Sequence, residues 1–200
     1  MEQYLTIIED KTAEIVEKKS KFIADIFYIE NSQQAEEKIK YIKKKYYDAK
    51  HHCIAYRVVE NNQLIERSSD DGEPSGTAGA PMLNILQKNN LCNIVVIVTR
   101  YFGGILLGTG GLVRAYTKSV TECLKVTDMM DLEEGYKIRL KFNYNDEKQV
   151  KYLLKEATIL NEKYDLDVEY IALVNNKVFD TLKNYNYEII EKTYIEKSSN

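Results

Sequence analysis

Ser68-Ser69-Asp70-Asp71-Gly72-Glu73-Pro74-Ser75-Gly76-Thr77-Ala78-Gly79-Ala80-Pro81 opens the part of the chain where the main-chain path matters more than side-chain bulk. Between Gly72 and Gly111 stand both prolines and every glycine except Gly135. Glycine permits positive φ and close backbone approach, and proline stiffens turns. Outward from this segment the sequence reads as ordinary elements. Residues 12–17 and 22–29 alternate as strands, and Ser32 caps an amphipathic helix carrying Ala35, Ile39, Ile42 and Tyr46. Residues 54–59 and 64–67 flank an Asn61-Asn62 hairpin turn. Residues 81–87 and 112–126 read as helices, and 94–99 as a buried strand. The order β-β-α-β-β-α-β-α predicts an α+β unit, a mixed sheet with its helices layered on one face.

After Met130 glycine nearly vanishes and a new alternation begins. Ile138, Leu140 and Phe142 share one strand face, and Val150, Leu153, Leu154 and Ala157 recur at helical spacing. Residues 159–164 and 168–174 read as strands about Asp165, followed by a helix over 178–185 and a strand over 187–195. This β-α-β-β-α-β order is ferredoxin-like. Two domains are therefore predicted, 1–130 and 136–200, with residues 129–135 as the linker.

A chain of 200 residues with 44% hydrophobic and 30% charged residues has the composition of a globular protein, not a disordered or collagen-like one. The apolar runs are too short to span a membrane, and the N-terminus lacks a basic-then-apolar leader pattern. Cys53, Cys92 and Cys123 are odd in number and widely spaced, which fits reduced thiols and a cytoplasmic location. Lys and Arg number 17 against 17 Asp and Glu up to Met130, and 11 against 14 after it. Neither half is basic, so bulk electrostatics argue against coating duplex DNA.

The acidic loop could hold a divalent cation, but its spacing fits no EF-hand, and its glycines lack the Lys-Ser/Thr ending of a phosphate-binding loop. Capped, solvated turns are the simpler account of Asp70, Asp71, Glu73, Ser75 and Thr77, and no metal or other cofactor is assigned. A second stretch runs from Thr99 through Arg100, Gly103 and Gly104 to Gly110, Gly111 and Arg114, leaving a strand and entering a helix. A helix start beside Arg100, Arg114 and Lys118 suits an anion. The alternative is that the arginines pair with Asp70, Asp71 or Glu73. His51-His52-Cys53 is the remaining polar group, and successive strand residues face opposite ways, so one histidine at most shares a face with Cys53. No local nucleophile signature accompanies it, and no catalytic residue is assigned. The two glycine-rich segments are expected to meet in space, with Asp70 or Asp71 on Arg100, and the acidic loop to be a solvated surface whose loss leaves stability unchanged.

Three strings resemble the IMPACT family in its bacterial YigZ-like form. They are the run from Asp70 to Gly79, Val98-Thr99-Arg100-Tyr101-Phe102-Gly103-Gly104, and Gly110-Gly111-Leu112-Val113-Arg114-Ala115-Tyr116. Lys19-Ser20-Lys21-Phe22-Ile23 and His51-His52-Cys53-Ile54-Ala55-Tyr56 are similar too, so the likeness covers residues 18–116. Ala80 stands where the family often has a basic residue. The resemblance implies a first domain like the second domain of ribosomal protein S5 and a ferredoxin-like second domain like the end domains of elongation factor G. It also implies a ribosome-linked role, since eukaryotic relatives regulate translation during amino-acid starvation through an added N-terminal domain that this chain is read as lacking. The expected function is translation regulation by binding structured RNA or a ribosome-associated factor. The ligand-facing residues are then Asp70, Asp71, Glu73, Ser75, Thr77, Arg100, Gly103, Gly104, Gly110, Gly111, Arg114 and His51. The alternative is a small-molecule enzyme whose glycine-rich loops take a phosphorylated or metal-bound ligand.

Overall fold

A computed structural model describes residues 4–61 and 63–197; Asn62 of the expected hairpin turn lies outside the described residues. The chain forms two compact units, Met1–Met130 and Asp131–Asn200, both α+β with antiparallel sheets.

The run from Ile94 to Val98 explains the first unit. All five residues are buried, so this strand must be covered on both faces. The elements are β1 (Tyr4–Ile7), β2 (Lys11–Glu17), β3 (Ser20–Tyr28), α1 (Ser32–Lys45), β4 (His51–Glu60), β5 (Gln63–Ser69), α2 (Gly79–Lys88), β6 (Ile94–Tyr101) and α3 (Thr109–Lys125). Strands β2-β3-β6-β4-β5 form one sheet, antiparallel at every pairing. Ala24, Ile26, Cys53, Val96 and Val98 pack against α2 and α3, while Phe27, Tyr56, Val58, Val95 and Ile97 pack against α1. The expected mixed sheet with helices on one face is thus corrected: no parallel pair joins these strands, and the helices lie on both faces. The cap of α1 also differs from expectation. The Asn31 side chain accepts from Gln34 N–H, while Ser32 turns its hydroxyl to Glu60. Strand β1, unmarked in the sequence, is held by Leu5 N–H on Asn90 O and Cys92 N–H on Leu5 O.

The expected linker is strand. Residues 129–135 open β7 (Met129–Phe142), and from Leu132 onward they pair with β10 (Asn186–Glu196). Leu132 is buried, and a Cβ on Gly135 would lie 2.7 Å from Val174 O, so glycine here marks close strand approach. The second unit continues with α4 (Glu147–Leu153), β8 (Thr158–Tyr164), β9 (Val168–Asn175) and α5 (Asn176–Thr181). Its sheet runs β10-β7-β9-β8, all antiparallel, over a core of Ile138, Leu140, Phe142, Val150, Tyr170 and Leu182. No helix among the described residues is long and apolar enough to cross a membrane.

Candidate binding surface

The acidic loop follows β5 and ends at α2, whose first residue has no side-chain cap from Ala78. Asp70 supplies the missing acceptor. Its Oδ1 accepts from Ala78 N–H at 2.9 Å and Gly79 N–H at 2.8 Å, and its Oδ2 from Gly76 N–H at 2.8 Å. Burial opposes ionisation of Asp70, but the N–H groups of Gly76, Gly79 and Ala78 outweigh it and hold the carboxyl below its ordinary value. A Cβ on Gly79 would meet the Ser69 backbone at 2.7 Å, so the loop can close only with glycine there.

Asp71 adopts φ +42° and turns the other way. Its carboxylate accepts from Lys43 Nζ at 2.9 Å and from His52 N–H at 2.7 Å, and its carbonyl pairs with His51 Nδ1 at 2.9 Å. Burial again opposes ionisation, and the Lys43 and His52 hydrogen bonds reverse it. Glu73 points inward. It receives Arg100 Nη1 at 2.7 and 2.9 Å and the Tyr116 hydroxyl at 2.7 Å, in a buried cluster where the guanidinium lies 5.5 Å from the Phe22 ring centroid and 5.6 Å from that of Phe102. Thr77 closes the loop with its hydroxyl on Pro74 O at 2.6 Å.

The two glycine-rich segments therefore meet, but through Glu73 and not through Asp70 or Asp71. The three carboxylates diverge onto separate donors and do not converge on a common point, and no group of three or more metal-type ligands occurs among the described residues. The loop keeps Gly72, Pro74, Ser75 and Gly76 exposed, but its carboxylates are not the solvated groups expected from its composition. His51 shares the sheet face of Cys53, yet Cys53 donates its thiol to Asp70 O, and burial pushes that thiol up to about 12. Such a group is not a thiolate at neutral pH.

What remains at the surface lies mostly beyond Arg100. A Cβ on Gly103 would sit 2.0 Å from the Lys19 backbone, so this glycine serves packing against the turn after β2. Gly104 and Gly108 have φ of +83° and +72° and bend the loop outward. Between and before them Phe102 is 55% exposed, Ile105 41% and Leu106 82%. Then α3 begins, with no side-chain hydrogen bond from Gly108, and Gly110 and Gly111 stand in its first turn. The Arg114 guanidinium lies over that turn, 3.6 Å from where a Gly110 Cβ would be. Ser75, Gly104, Gly110 and Arg114 are exposed, and Gly111 is half-buried. Ile105 and Leu106 escaped the sequence reading as contact residues. The available signal was an apolar pair inside a glycine-bounded loop too short to bury it in any regular element.

The Impact N-terminal domain model matches residues 18–124. A Bacillus subtilis relative, IMPACT family member YvyE, is 38% identical over 217 residues, covering 100% of this chain and 97% of the relative. IMPACT family member YigZ of Escherichia coli is 42% identical over 110 residues, 54% of this chain and 53% of the relative. A crystal structure of a hypothetical protein is similar with a TM-score of 0.71 and 30% identity, over 96% of this chain and 98% of that one. This chain belongs to the IMPACT family.

Proposed function

We propose that this chain is a cytoplasmic regulator of translation that binds RNA or a ribosome-associated factor through the surface running from Phe102 to Arg114. The observation that carries the reading is the outward placement of Phe102, Ile105 and Leu106 beside an uncapped helix start and Arg114. Large apolar groups raised on a loop and rimmed by positive charge suit a docking contact. The three free, buried cysteines fit a reducing compartment. We read the first unit, 1–130, as the IMPACT-type domain similar to the second domain of ribosomal protein S5. The second, 136–200, is read as a ferredoxin-like domain similar to an elongation factor G end domain. Support for the latter is the split-βαβ element order with strands arranged β10-β7-β9-β8. The family resemblance supplies the link to translation. The enzyme alternative gains nothing from the geometry, because the carboxylates it would use are engaged by backbone donors, Lys43 and Arg100.

Gradient sedimentation of cell extract tests the reading. The wild type should comigrate with ribosomal particles at low salt and leave them at high salt. Leu106→Ser, and separately Arg114→Ala, should abolish comigration without changing the melting temperature. Absence of the wild type from the particles, or comigration of both variants, overturns it.

A further inference from the structure

The densest positive charge in the chain lies elsewhere. Residues 38–50 hold six lysines, three tyrosines and one carboxylate, Asp48. The segment covers the second half of α1 and the turn after it. Ala35, Ile39 and Ile42 form the buried stripe of α1, so Lys40 and Lys44, one turn apart, point away from the sheet.

Some of this charge has structural work. Lys38 pairs with Asp10, Lys43 with Asp71 and Lys45 with Asp25. The last turn of a helix also welcomes cations through its dipole, which suits Lys43, Lys44 and Lys45. Lys40 and Lys50 lie outside that turn. Lys40, Lys44 and Lys50 are exposed and form no ion pair among the described residues. Lys40 and Lys44 stand at i, i+4, where like charges repel by a few tenths of a kcal/mol, a small cost set against the helix dipole at Lys44 and the carboxylates of Glu36 and Glu37 one turn before Lys40. Asp48 accepts from the Tyr101 hydroxyl at 2.7 Å. Interleaved with the lysines, Tyr41 is 56% exposed and Tyr47 is 84% exposed. Tyr41 keeps one edge-to-face contact, its ring centroid 6.4 Å from that of Phe27, while Tyr47, more open still, gains little from burial and presents its ring to solvent.

We propose that this face, formed by Lys40, Tyr41, Lys44, Tyr47 and Lys50, binds single-stranded RNA. The lysines would meet successive phosphates, and the tyrosine rings would receive unstacked bases. Exposed rings favour single strands over a duplex, whose bases are already stacked. The choice of RNA over DNA rests on the translation reading above; the surface itself does not.

A salt titration of a short fluorescein-labelled oligouridine against the full chain tests this. With three phosphates neutralised, log affinity should fall against log salt with a slope of about −2, from roughly −0.7 per phosphate. Lys40→Gln with Lys44→Gln and Lys50→Gln should bring the slope near zero. Tyr47→Ala should weaken binding about tenfold at an unchanged slope. All of these positions are exposed, so unchanged melting curves are expected. Failure of the wild type to bind oligouridine at low salt, or equal binding by the triple variant, overturns the proposal; an acidic protein would then be the better occupant. Tighter binding of oligodeoxythymidine overturns the choice of RNA. Failure of this titration while the Leu106-dependent ribosome comigration stands removes only this inference. Lysine-dependent binding without ribosome comigration removes the translation reading and leaves the surface.

Discussion

Replacing Asp70 by alanine separates a structural carboxylate from a ligand-binding one. Its side chain holds the N–H groups of Gly76, Ala78 and Gly79, and α2 has no other side-chain cap. The Gly76 donor is exposed and can turn to water, whereas Ala78 and Gly79 are buried. Loss of a capping carboxylate costs about 0.5–2 kcal/mol. A buried donor left without a partner adds about 1–3 kcal/mol. The expected destabilisation is about 3 kcal/mol, or roughly 10 °C in melting temperature for a unit of this size. Asp70→Asn retains one acceptor oxygen but turns an amide toward an N–H, and should fall between wild type and Asp70→Ala. Thermal and urea unfolding followed by circular dichroism give the numbers. The pH dependence supplies an independent sign. Because the folded carboxyl sits below its ordinary 3.8, its stabilisation is fully present above that value and is lost as pH falls through the lower folded value. The gap between wild type and Asp70→Ala should therefore stay flat on the neutral side and close in acid. A loss below about 1 kcal/mol at neutral pH, or a gap that widens in acid, refutes the capping argument.

Two further outcomes follow from the buried groups. Glu73→Gln leaves the Arg100 charge without its counter-ion and should cost about 3 kcal/mol in urea unfolding, with part of the loss recovered when Arg100→Met is added. Thiol titration with an aromatic disulfide at mildly alkaline pH should find no reactive cysteine in the native chain and three in denaturant, since burial raises Cys53 to about 12 and Cys92 and Cys123 to about 11.

The local elements were legible where periodicity was strong. The apolar run over 94–98 marked β6, and Ile138, Leu140 and Phe142 marked the buried face of β7. The same continuous run also carried the sign of burial on two faces, which the one-faced layering overlooked. Strand β1 has only four residues, and its anchors at Asn90 and Cys92 are far away in sequence, so no local pattern announces it. Residues 129–135 read as a linker because acidic side chains mask an alternation in which only Leu132 and Gly135 are buried. At the site, opposite charges predicted that the two glycine-rich segments would meet. Which carboxylate faces Arg100 depends on the backbone. The positive φ values of Asp71 and Gly72 separate Asp70 and Asp71 from Glu73, and only the latter is sent beneath the loop.

That division of labour changes what the acidic loop says about function. A chain of net charge −3 is ill suited to phosphate on bulk charge alone, and three carboxylates in ten residues add to the local negative charge. Each of those carboxylates is turned onto a donor of the protein itself, Asp70 onto backbone N–H groups, Asp71 onto Lys43 and the His52 N–H, and Glu73 onto Arg100 and Tyr116. Removing any of them is thus expected to act first on folding, and a lost activity in such a variant says little about binding. Lys40, Lys44, Lys50 and Arg114 are exposed without an ion pair among the described residues, and Leu106 is exposed without a core to fill. Only substitutions at these outward positions can separate recognition from stability, because their side chains contribute little that the folded chain needs.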